Sequence, residues 1–172
     1  MTRRHWKTLE ETTVFEAAPY LRISREVVEL PGGQVVDDFY QVHLRPFVAV
    51  VPMTPDGRVL ILEQYKHGPR KVSITFPGGF VDPGEEAETA GRRELMEETG
   101  YRAGAMIPLG SYVDNGNQRG CEGSYFLALE CEKVAEADPG DLEEMEVSFA
   151  RPETLDAALG TERFAITHMA AA

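Results

Sequence analysis

The sequence has few histidines and cysteines and a shortage of positive charge. Its 172 residues include 4 His and 2 Cys, and 17 Lys and Arg against 29 Asp and Glu give a formal net charge of -12. Zinc sites use clustered Cys and His side chains, whereas the histidines here are scattered. Proteins that follow nucleic-acid phosphates need clustered Lys and Arg. We therefore expect neither a zinc site nor a nucleic-acid polymer as partner.

Long apolar runs are also missing. No segment reaches the ~18 consecutive apolar residues that span a bilayer, and the basic first residues lead into Thr and Glu rather than an apolar signal core. We therefore expect a cytoplasmic protein without a membrane partner. Cys121 and Cys131 form no metal or disulfide pattern, and we interpret them as ordinary buried or surface thiols.

An acidic, glycine-bounded segment at residues 79–101 stands out in this chain. If its second half is helical, Glu94, Glu97 and Glu98 share one face, because residues three and four apart are neighbours on a helix. Each like-charged pair of this kind costs roughly 0.2–0.5 kcal/mol in an isolated helix. A divalent cation is the simplest compensation, and Mg2+ prefers oxygen ligands together with substrate phosphates.

The residues before this acidic face contain several Gly and Pro residues. They therefore predict a turn-rich loop between a strand and the helix. Two helix starts are open. Asp82 can be the N-cap, with Pro83 as the first helical residue and Glu85 reaching back. If Gly84 belongs to the loop, the helix starts one turn later. In both cases Gly78 can offer its backbone carbonyl to a cation.

The spacing of these residues carries a family resemblance. The segment follows the pattern G-x5-E-x7-R-E-U-x-E-E-x-G-U and resembles the Nudix box. The fitting positions are Gly79, Glu85, Arg93, Glu94, Leu95, Glu97, Glu98 and Gly100. Tyr101 occupies a position that is usually aliphatic, a departure that bears on packing rather than chemistry. A merely solvated acidic helix would leave Arg93 beside Glu94, and the glycines at both ends, as coincidences.

The resemblance implies a hydrolase that uses Mg2+ or Mn2+ and acts on a nucleoside diphosphate linked to another group. It implies Glu94 and Glu98 as the main metal ligands, and Glu97 as a further ligand or a catalytic, water-orienting group. Gly78 would add a carbonyl ligand. The residues with a structural part in the motif would be Gly79, Glu85, Arg93 and Gly100. Among them, Arg93 would hold the carboxylates by charge-assisted hydrogen bonds.

The remaining pattern predicts mostly strands. Residues 20–30 and 34–42 flank Pro31-Gly32-Gly33 as a hairpin. Further strands are predicted at 47–53, 59–65, 105–113, 124–131 and 146–150, and helices at 152–159 and 161–172. Together with the resemblance, this indicates an α/β fold: a Nudix-type α/β/α sandwich with a mixed sheet, plus an N-terminal antiparallel β-hairpin extension.

The chain is predicted to divide into an N-terminal β extension, residues 1–45, and a hydrolase domain, residues 46–172. The extension resembles that of the ADP-ribose and nucleoside-diphosphate-sugar pyrophosphatase branch, where such sheets pair across a homodimer. A two-stranded hairpin is only marginally stable alone. We therefore expect a homodimer in which the extension is the dimerisation element.

Three basic residues are candidates for contact with substrate phosphates. Residues 63–68 resemble a strand-end pattern of that branch, with Lys66 where an arginine often contacts the phosphates. Lysine offers a point charge rather than a bidentate fork. Arg45 and Arg70 are weaker candidates.

The general base is expected on the acidic, turn-rich loop at residues 139–146, downstream of the box. Glu143 is the preferred residue, with Asp141 and Glu144 as alternatives. A carboxylate there could accept a proton from the attacking water. A solvated loop without catalytic contact is the competing interpretation.

The substrate stays open among several pyrophosphates. ADP-ribose, cleaved to AMP and ribose 5-phosphate, leads over other nucleotide sugars such as GDP-mannose, dinucleoside polyphosphates and oxidised nucleotides. The ADP-ribose subgroup often has a proline downstream of the box, where residues 114–120 of this chain have none. The other classes are a non-catalytic nucleotide-sensing module, which has no reason to keep the carboxylates, and a structural calcium-binding protein, which would need a loop pattern that is missing.

Overall fold

The computed structural model describes residues 5–138, 140 and 144–172. The chain forms two compact units. Unit 1 consists of the described parts of Met1–Pro46 together with Val113–Glu122. Unit 2 consists of Phe47–Tyr112 and the described parts of Gly123–Ala172. The second segment of unit 1 therefore comes from the middle of the chain.

Unit 1 is built on three antiparallel strands. They are β1 (Lys7–Ala17), β2 (Leu21–Glu29) and β3 (Val35–Leu44). The β2–β3 hairpin confirms the prediction, and Gly33 turns it with a φ of 82°. Strand β1 was not predicted from the sequence, because ten of its eleven residues are exposed and such a strand shows no alternation of apolar and polar residues.

Unit 2 contains most of the remaining elements. In chain order these are β4 (Phe47–Pro52), β5 (Val59–Lys66), β6 (Lys71–Thr75), α1 (Ala87–Thr99), β7 (Tyr101–Arg102), β8 (Ala105–Asn115), β9 (Arg119–Leu129), β10 (Glu132–Lys133), β11 (Met145–Ala150), α2 (Pro152–Ala158) and α3 (Thr167–Ala171). Strands β8 and β9 extend into unit 1. Strand β4 runs parallel to β9, and β11, β5 and β6 form an antiparallel sheet. Parallel and antiparallel pairings therefore coexist, as predicted.

Helix α1 packs closely on β4. The shared core is Val48, Val50, Ala90, Leu95, Ala103, Phe126, Ala128 and Cys131. A Cβ on Gly91 would lie only 3.0 Å from Val50 Cγ2 and 3.2 Å from Val48 Cγ2. The missing side chain at Gly91 therefore sets the short distance between the helix and the strand.

Two helix predictions are decided by the structure. Helix α1 begins at Ala87 with Glu86 as N-cap, so the later of the two starts holds and Asp82 is not the N-cap. The predicted helix at 161–172 is wrong over its first half, since only Thr167–Ala171 is helical. Ile74 N donates to Arg163 O at 2.8 Å. This tertiary hydrogen bond to β6 holds Arg163 in a turn rather than in a helix.

Two smaller expectations concern Tyr101 and the cysteines. The Tyr101 ring packs against Phe149 of β11 in an edge contact with centroids 6.0 Å apart. Cys121 and Cys131 are free and buried, which confirms their interpretation as ordinary thiols. Burial raises the pKa of each thiol to about 11, so both are protonated at neutral pH. Among the helices that the structure describes, none is long and apolar enough to cross a membrane.

Candidate functional site

The loop between β6 and α1 is held in place by backbone hydrogen bonds to β4. The carbonyls of Pro77 and Gly79 accept from amides of β4 at 2.8 and 2.9 Å. Between these two residues, Gly78 directs its N–H toward helix α1. Its N–H donates to Glu98 Oε2 at 2.9 Å. This hydrogen bond ties the loop to the last turn of α1.

Neither Gly78 nor Gly79 has room for a side chain. A Cβ on Gly78 would overlap the backbone carbonyl oxygen of Val48. A Cβ on Gly79 would lie 2.5 Å from Glu94 Oε1 and 2.7 Å from Glu94 Oε2. The absence of side chains lets the loop backbone lie directly against β4 and against the first carboxylate of the acidic face.

Arg93 is the centre of a hydrogen-bond network. Its Nε and Nη2 donate to the two carboxylate oxygens of Glu85 at 3.1 and 3.0 Å. Nη1 donates to Glu94 at 2.7 Å and to Glu97 at 3.2 Å. Nη2 also donates to the Phe80 carbonyl at 3.1 Å. One guanidinium thus joins the loop to two carboxylates of α1, in the fork geometry that only arginine provides.

The charges of this network shift the ionisation of its members. The hydrogen bonds with Glu85, followed by those with Glu94, raise the pKa of Arg93. The hydrogen bond with Arg93, together with that from the Asp82 backbone N–H, lowers the pKa of Glu85. The side chains of Glu85 and Glu94 are only 15% and 14% exposed. Arg93 therefore neutralises carboxylates that have lost much of their water.

Replacement of Arg93 with Lys is expected to lower the free energy of unfolding by about 1–3 kcal/mol in metal-free buffer, because lysine cannot serve all these acceptors. Saturating Mg2+ should reduce the loss, since a bound cation neutralises the same carboxylates. Urea denaturation with and without Mg2+ measures both quantities. Arg92→Lys is the control, because Arg92 is exposed and pairs with Glu88. Equal losses in the two variants would contradict the role of Arg93.

The carboxylates of α1 differ in exposure. Glu98 is 6% exposed, whereas the Glu97 side chain is 47% exposed. Among residues 5–138, 140 and 144–172, no three His, Cys, Asp or Glu side chains are gathered in a ready metal site. Arg93 instead binds Glu94 and Glu97. The available donor atoms are all oxygens, which suit a hard divalent cation. Because Gly79 has no side chain, the loop backbone can lie close to the Glu94 carboxylate.

The C-terminal end of α1 is tied to the segment before the acidic loop. Gly100 ends the helix with a φ of 74°. Its carbonyl accepts from the N–H groups of Val134 and Ala135 at 2.9 and 3.1 Å. Asp138 N donates to the Glu97 backbone carbonyl at 2.8 Å. Asp138, which precedes the acidic loop in the sequence, thus lies beside the turn of α1 that carries Glu97.

The three candidate bases fall on or beside this loop. Glu143 and Asp141 lie outside the described residues. Glu144 is described and exposed, and it directly precedes β11, where Met145 pairs with Gln64 of β5. The described residues on either side, Asp138 and Met145, are both held by backbone hydrogen bonds within unit 2.

Two of the three candidate phosphate-binding residues lie together in the β5–β6 hairpin. Lys66 pairs with Lys71 at the turn of the β5–β6 hairpin, and Arg70 lies in that turn with a φ of 55°. The Gly78 loop follows the other end of β6, which spans roughly 13 Å at ~3.3 Å per residue. Arg45 belongs to unit 1 and accepts a hydrogen bond from Cys121 Sγ through its carbonyl oxygen.

Two contributors to the site were not identified from the sequence. The Phe80 carbonyl left no signal, because a backbone acceptor can come from any residue. Gly91 could have been identified, because a glycine inside a helical pattern often marks close packing.

Comparison with known proteins places this geometry in a family. A model of the NUDIX domain matches residues 43–169. The chain belongs to the NUDIX family. A model of the nucleoside diphosphate sugar hydrolase N-terminal domain matches residues 6–42. The predicted family membership is confirmed.

Curated relatives of this NUDIX chain align over part of its length. An ADP-ribose pyrophosphatase of Bacillus subtilis (strain 168) is 30% identical over 110 residues, which cover 62% of this chain and 59% of the relative. An RNA pyrophosphohydrolase of Caulobacter vibrioides is 50% identical over 63 residues, 37% of this chain and 36% of the relative. The chain thus spans less than two thirds of the length of these relatives.

A solved structure shows the same fold. The crystal structure of an ADP compounds hydrolase superposes with a TM-score of 0.79 at 19% sequence identity, covering 96% of this chain and 89% of that chain. The predicted α/β Nudix fold with N-terminal antiparallel strands is therefore confirmed.

Proposed function

We propose that this NUDIX protein is a metal-dependent pyrophosphohydrolase of nucleoside diphosphates linked to a further group, with ADP-ribose as the leading substrate. One water is consumed, one P–O bond of the pyrophosphate is broken, and the products are AMP and ribose 5-phosphate. Relatives named ADP-ribose pyrophosphatase support this choice. The N-terminal match to a nucleoside diphosphate sugar hydrolase domain supports it further.

The observation that carries the proposal is the oxygen-rich site around Arg93. The NUDIX family generally uses divalent metals, and the donors here suit Mg2+ or Mn2+. Gly78 through its carbonyl and Glu94, Glu97 and Glu98 through their carboxylates would hold the ion. When bound, it would neutralise the diphosphate and make water a better nucleophile.

The carboxylate side chains have different roles in this proposal. Glu98, buried and bonded to Gly78 N–H, fixes the loop against the helix. Glu97 is the most exposed carboxylate of the set and would orient water or substrate. Glu143, or alternatively Asp141 or Glu144, accepts the proton of the attacking water. Support for that assignment comes from the tie between Asp138 and Glu97.

Substrate phosphates would be contacted by basic side chains. Lys66 is the first candidate, and Arg45 and Arg70 follow it. Their attraction for a diphosphate works at short range, because salt screens the net negative charge of the chain beyond ~8–10 Å.

Unit 1 would form a homodimer with a second copy of the chain. Large apolar side chains are exposed on it, and such concentrations mark interaction surfaces. They are Trp6, Leu9, Val14, Phe15, Tyr20, Val35, Tyr40 and Leu44, each at least 43% exposed. Sedimentation at micromolar concentration tests this proposal, and a monomer under those conditions would contradict it.

A substrate panel with product identification tests the proposed reaction. ADP-ribose, GDP-mannose, a dinucleoside polyphosphate and an oxidised nucleotide are incubated with Mg2+ or Mn2+. We expect fastest release of AMP and ribose 5-phosphate from ADP-ribose and no release with a chelator. Tight nucleotide binding without product would instead favour the non-catalytic sensing module. Faster cleavage of another substrate would leave the reaction class intact and change the specificity.

A further inference from the structure

The C-terminal part of unit 2 runs along β6, the strand that leads into the loop at residues 76–80. We call this loop, which contains the two glycines of the candidate site, the site loop. Ile74 N donates to the Arg163 carbonyl at 2.8 Å, and Ala165 N donates to Ser73 Oγ at 3.0 Å. These bonds join β6 to residues about ninety positions later in the chain, since Ala165 follows Ser73 by 92 residues.

Two rings from this C-terminal part of the chain flank the two ends of the site loop. Phe164 packs on Phe76, the first residue of the loop, with ring centroids 6.4 Å apart. The His168 ring lies on Phe47 of β4, with centroids 4.6 Å apart and planes inclined at 46°. Phe47 in turn forms an antiparallel bridge with Phe80, the last residue of the loop. The C-terminal residues therefore contact the start of the loop directly and its end through one residue of β4.

The Phe47 ring is enclosed, and His168 supplies one side of the enclosure. Tyr125 meets the ring edge to face, with centroids 5.9 Å apart and planes inclined at 83°. A Cβ on Gly123 would overlap the Phe47 ring, so the missing side chain at that position makes room for it. Phe47 is 9% exposed. Removal of the imidazole would leave a gap on one side of a closely packed ring, and neighbouring groups would shift toward it.

The site loop depends on such outside support. Gly78 and Gly79 are adjacent, and glycine has more conformational freedom than any other residue. The loop takes its position instead from hydrogen bonds to β4. At the end of the loop, the Phe80 carbonyl accepts from Arg93 Nη2 at 3.1 Å. A shift of Phe80 would therefore displace the guanidinium that binds the carboxylates of α1.

We propose that His168 is a positioning residue for the candidate site. Its ring fixes Phe47, Phe47 fixes Phe80, and the Phe80 carbonyl orients Arg93 among the carboxylates. This role needs a flat ring of suitable size and no proton transfer. The inference rests on the proposed function only in its effect on catalysis, because the order of the loop is measured without metal or substrate.

Hydrogen exchange of the full protein in chelator tests the positioning directly, read from peptides that cover residues 78–80. His168→Ala should exchange about tenfold faster there, because loss of the ring contact favours local opening of the loop. Alanine is a strong helix former, so α3 itself should persist. His168→Phe keeps a ring on Phe47 and should exchange like the unaltered protein. Thr167→Ala, at the neighbouring exposed position of α3, is the control and should also be unchanged.

Kinetics give a second readout where the proposed hydrolysis occurs. His168→Ala should lower kcat about tenfold while KM changes less than about twofold, because the displaced groups act at the reacting phosphorus rather than in substrate binding. His168→Phe should restore kcat, whereas Thr167→Ala should never have lost it. An unchanged kcat in an active His168→Ala enzyme would overturn the inference.

Four exchange results would also overturn it. They are unchanged loop exchange in His168→Ala, equally fast exchange in Thr167→Ala, fast exchange that persists in His168→Phe, and acceleration spread evenly over the chain, which would indicate general destabilisation. A protein that hydrolyses none of the tested substrates would contradict the proposed function. In that case loop exchange alone would decide whether His168 positions the site.

Discussion

Replacing Glu98 with Gln is expected to lower kcat by at least about 100-fold at saturating Mg2+, with the free energy of unfolding changed by less than about 1 kcal/mol. Glutamine keeps the size of the side chain, and its Oε1 can still accept the bond from Gly78 N–H. It removes the negative charge that would bind a divalent ion. The expected separation of activity from stability is what distinguishes a ligand from a structural carboxylate.

Steady-state kinetics and thermal unfolding of the same preparation measure both quantities. Glu88→Gln is the matched control, because Glu88 lies on the same helix, pairs with Arg92 on the surface and has a half-exposed side chain. It should retain nearly full kcat. A Glu98→Gln enzyme with a rate like that of the unaltered protein at limiting Mg2+ would remove Glu98 from the metal site.

Alanine at Gly78 and alanine at Gly79 are expected to fail in different ways. At Gly78 the new Cβ would overlap the backbone oxygen of Val48, and a strand backbone in the core cannot move aside cheaply. We expect a loss of about 3 kcal/mol or more in the free energy of unfolding. At Gly79 the obstacle is the carboxylate end of Glu94, which can rotate away at a cost of about 1 kcal/mol.

The effects of the two variants on kcat should not follow their effects on stability. Displacement of Glu94 by about 1 Å is enough to lower kcat by about 100-fold, so Gly79→Ala should be folded and nearly inactive. Urea denaturation and ADP-ribose turnover are measured on both. Gly84→Ala provides a comparison in the same loop, since nothing lies within 4 Å of its added Cβ and only its φ of 82° opposes the change. Full activity of Gly79→Ala would show that Glu94 is not held for chemistry.

The sequence anticipated the composition of the candidate site better than its assembly. The spacing of Glu94, Glu97 and Glu98 is a local property, because a helix of 3.6 residues per turn places them together whatever surrounds it. The role of Arg93 could also be predicted from the sequence, since an arginine beside such carboxylates offsets their repulsion. The Phe80 carbonyl and the tie from Asp138 to Glu97 were not, because backbone groups carry no sequence signature.

The same distinction between local and tertiary effects explains which parts of the fold prediction were right and which were wrong. The hairpin turned at Gly33 and helix α1 follow from local turn chemistry and periodicity. Strand β1 lacks an apolar face, so only its pairing with β2 defines it as a strand. The segment around Arg163 was predicted to be helical, and a tertiary hydrogen bond from Ile74 holds it in a turn instead.

By itself, the sequence determined the family, the helix that carries the carboxylates and the oxygen character of the candidate metal site, because each depends on residues close together in the chain. Tertiary structure decided which donors meet across the chain. It brings Gly78 to Glu98, twenty residues later, and joins Gln41 to Asn117, which lies 76 residues further along the chain. Contacts of that range depend on how strands pair and pack, and local residue preferences do not specify them.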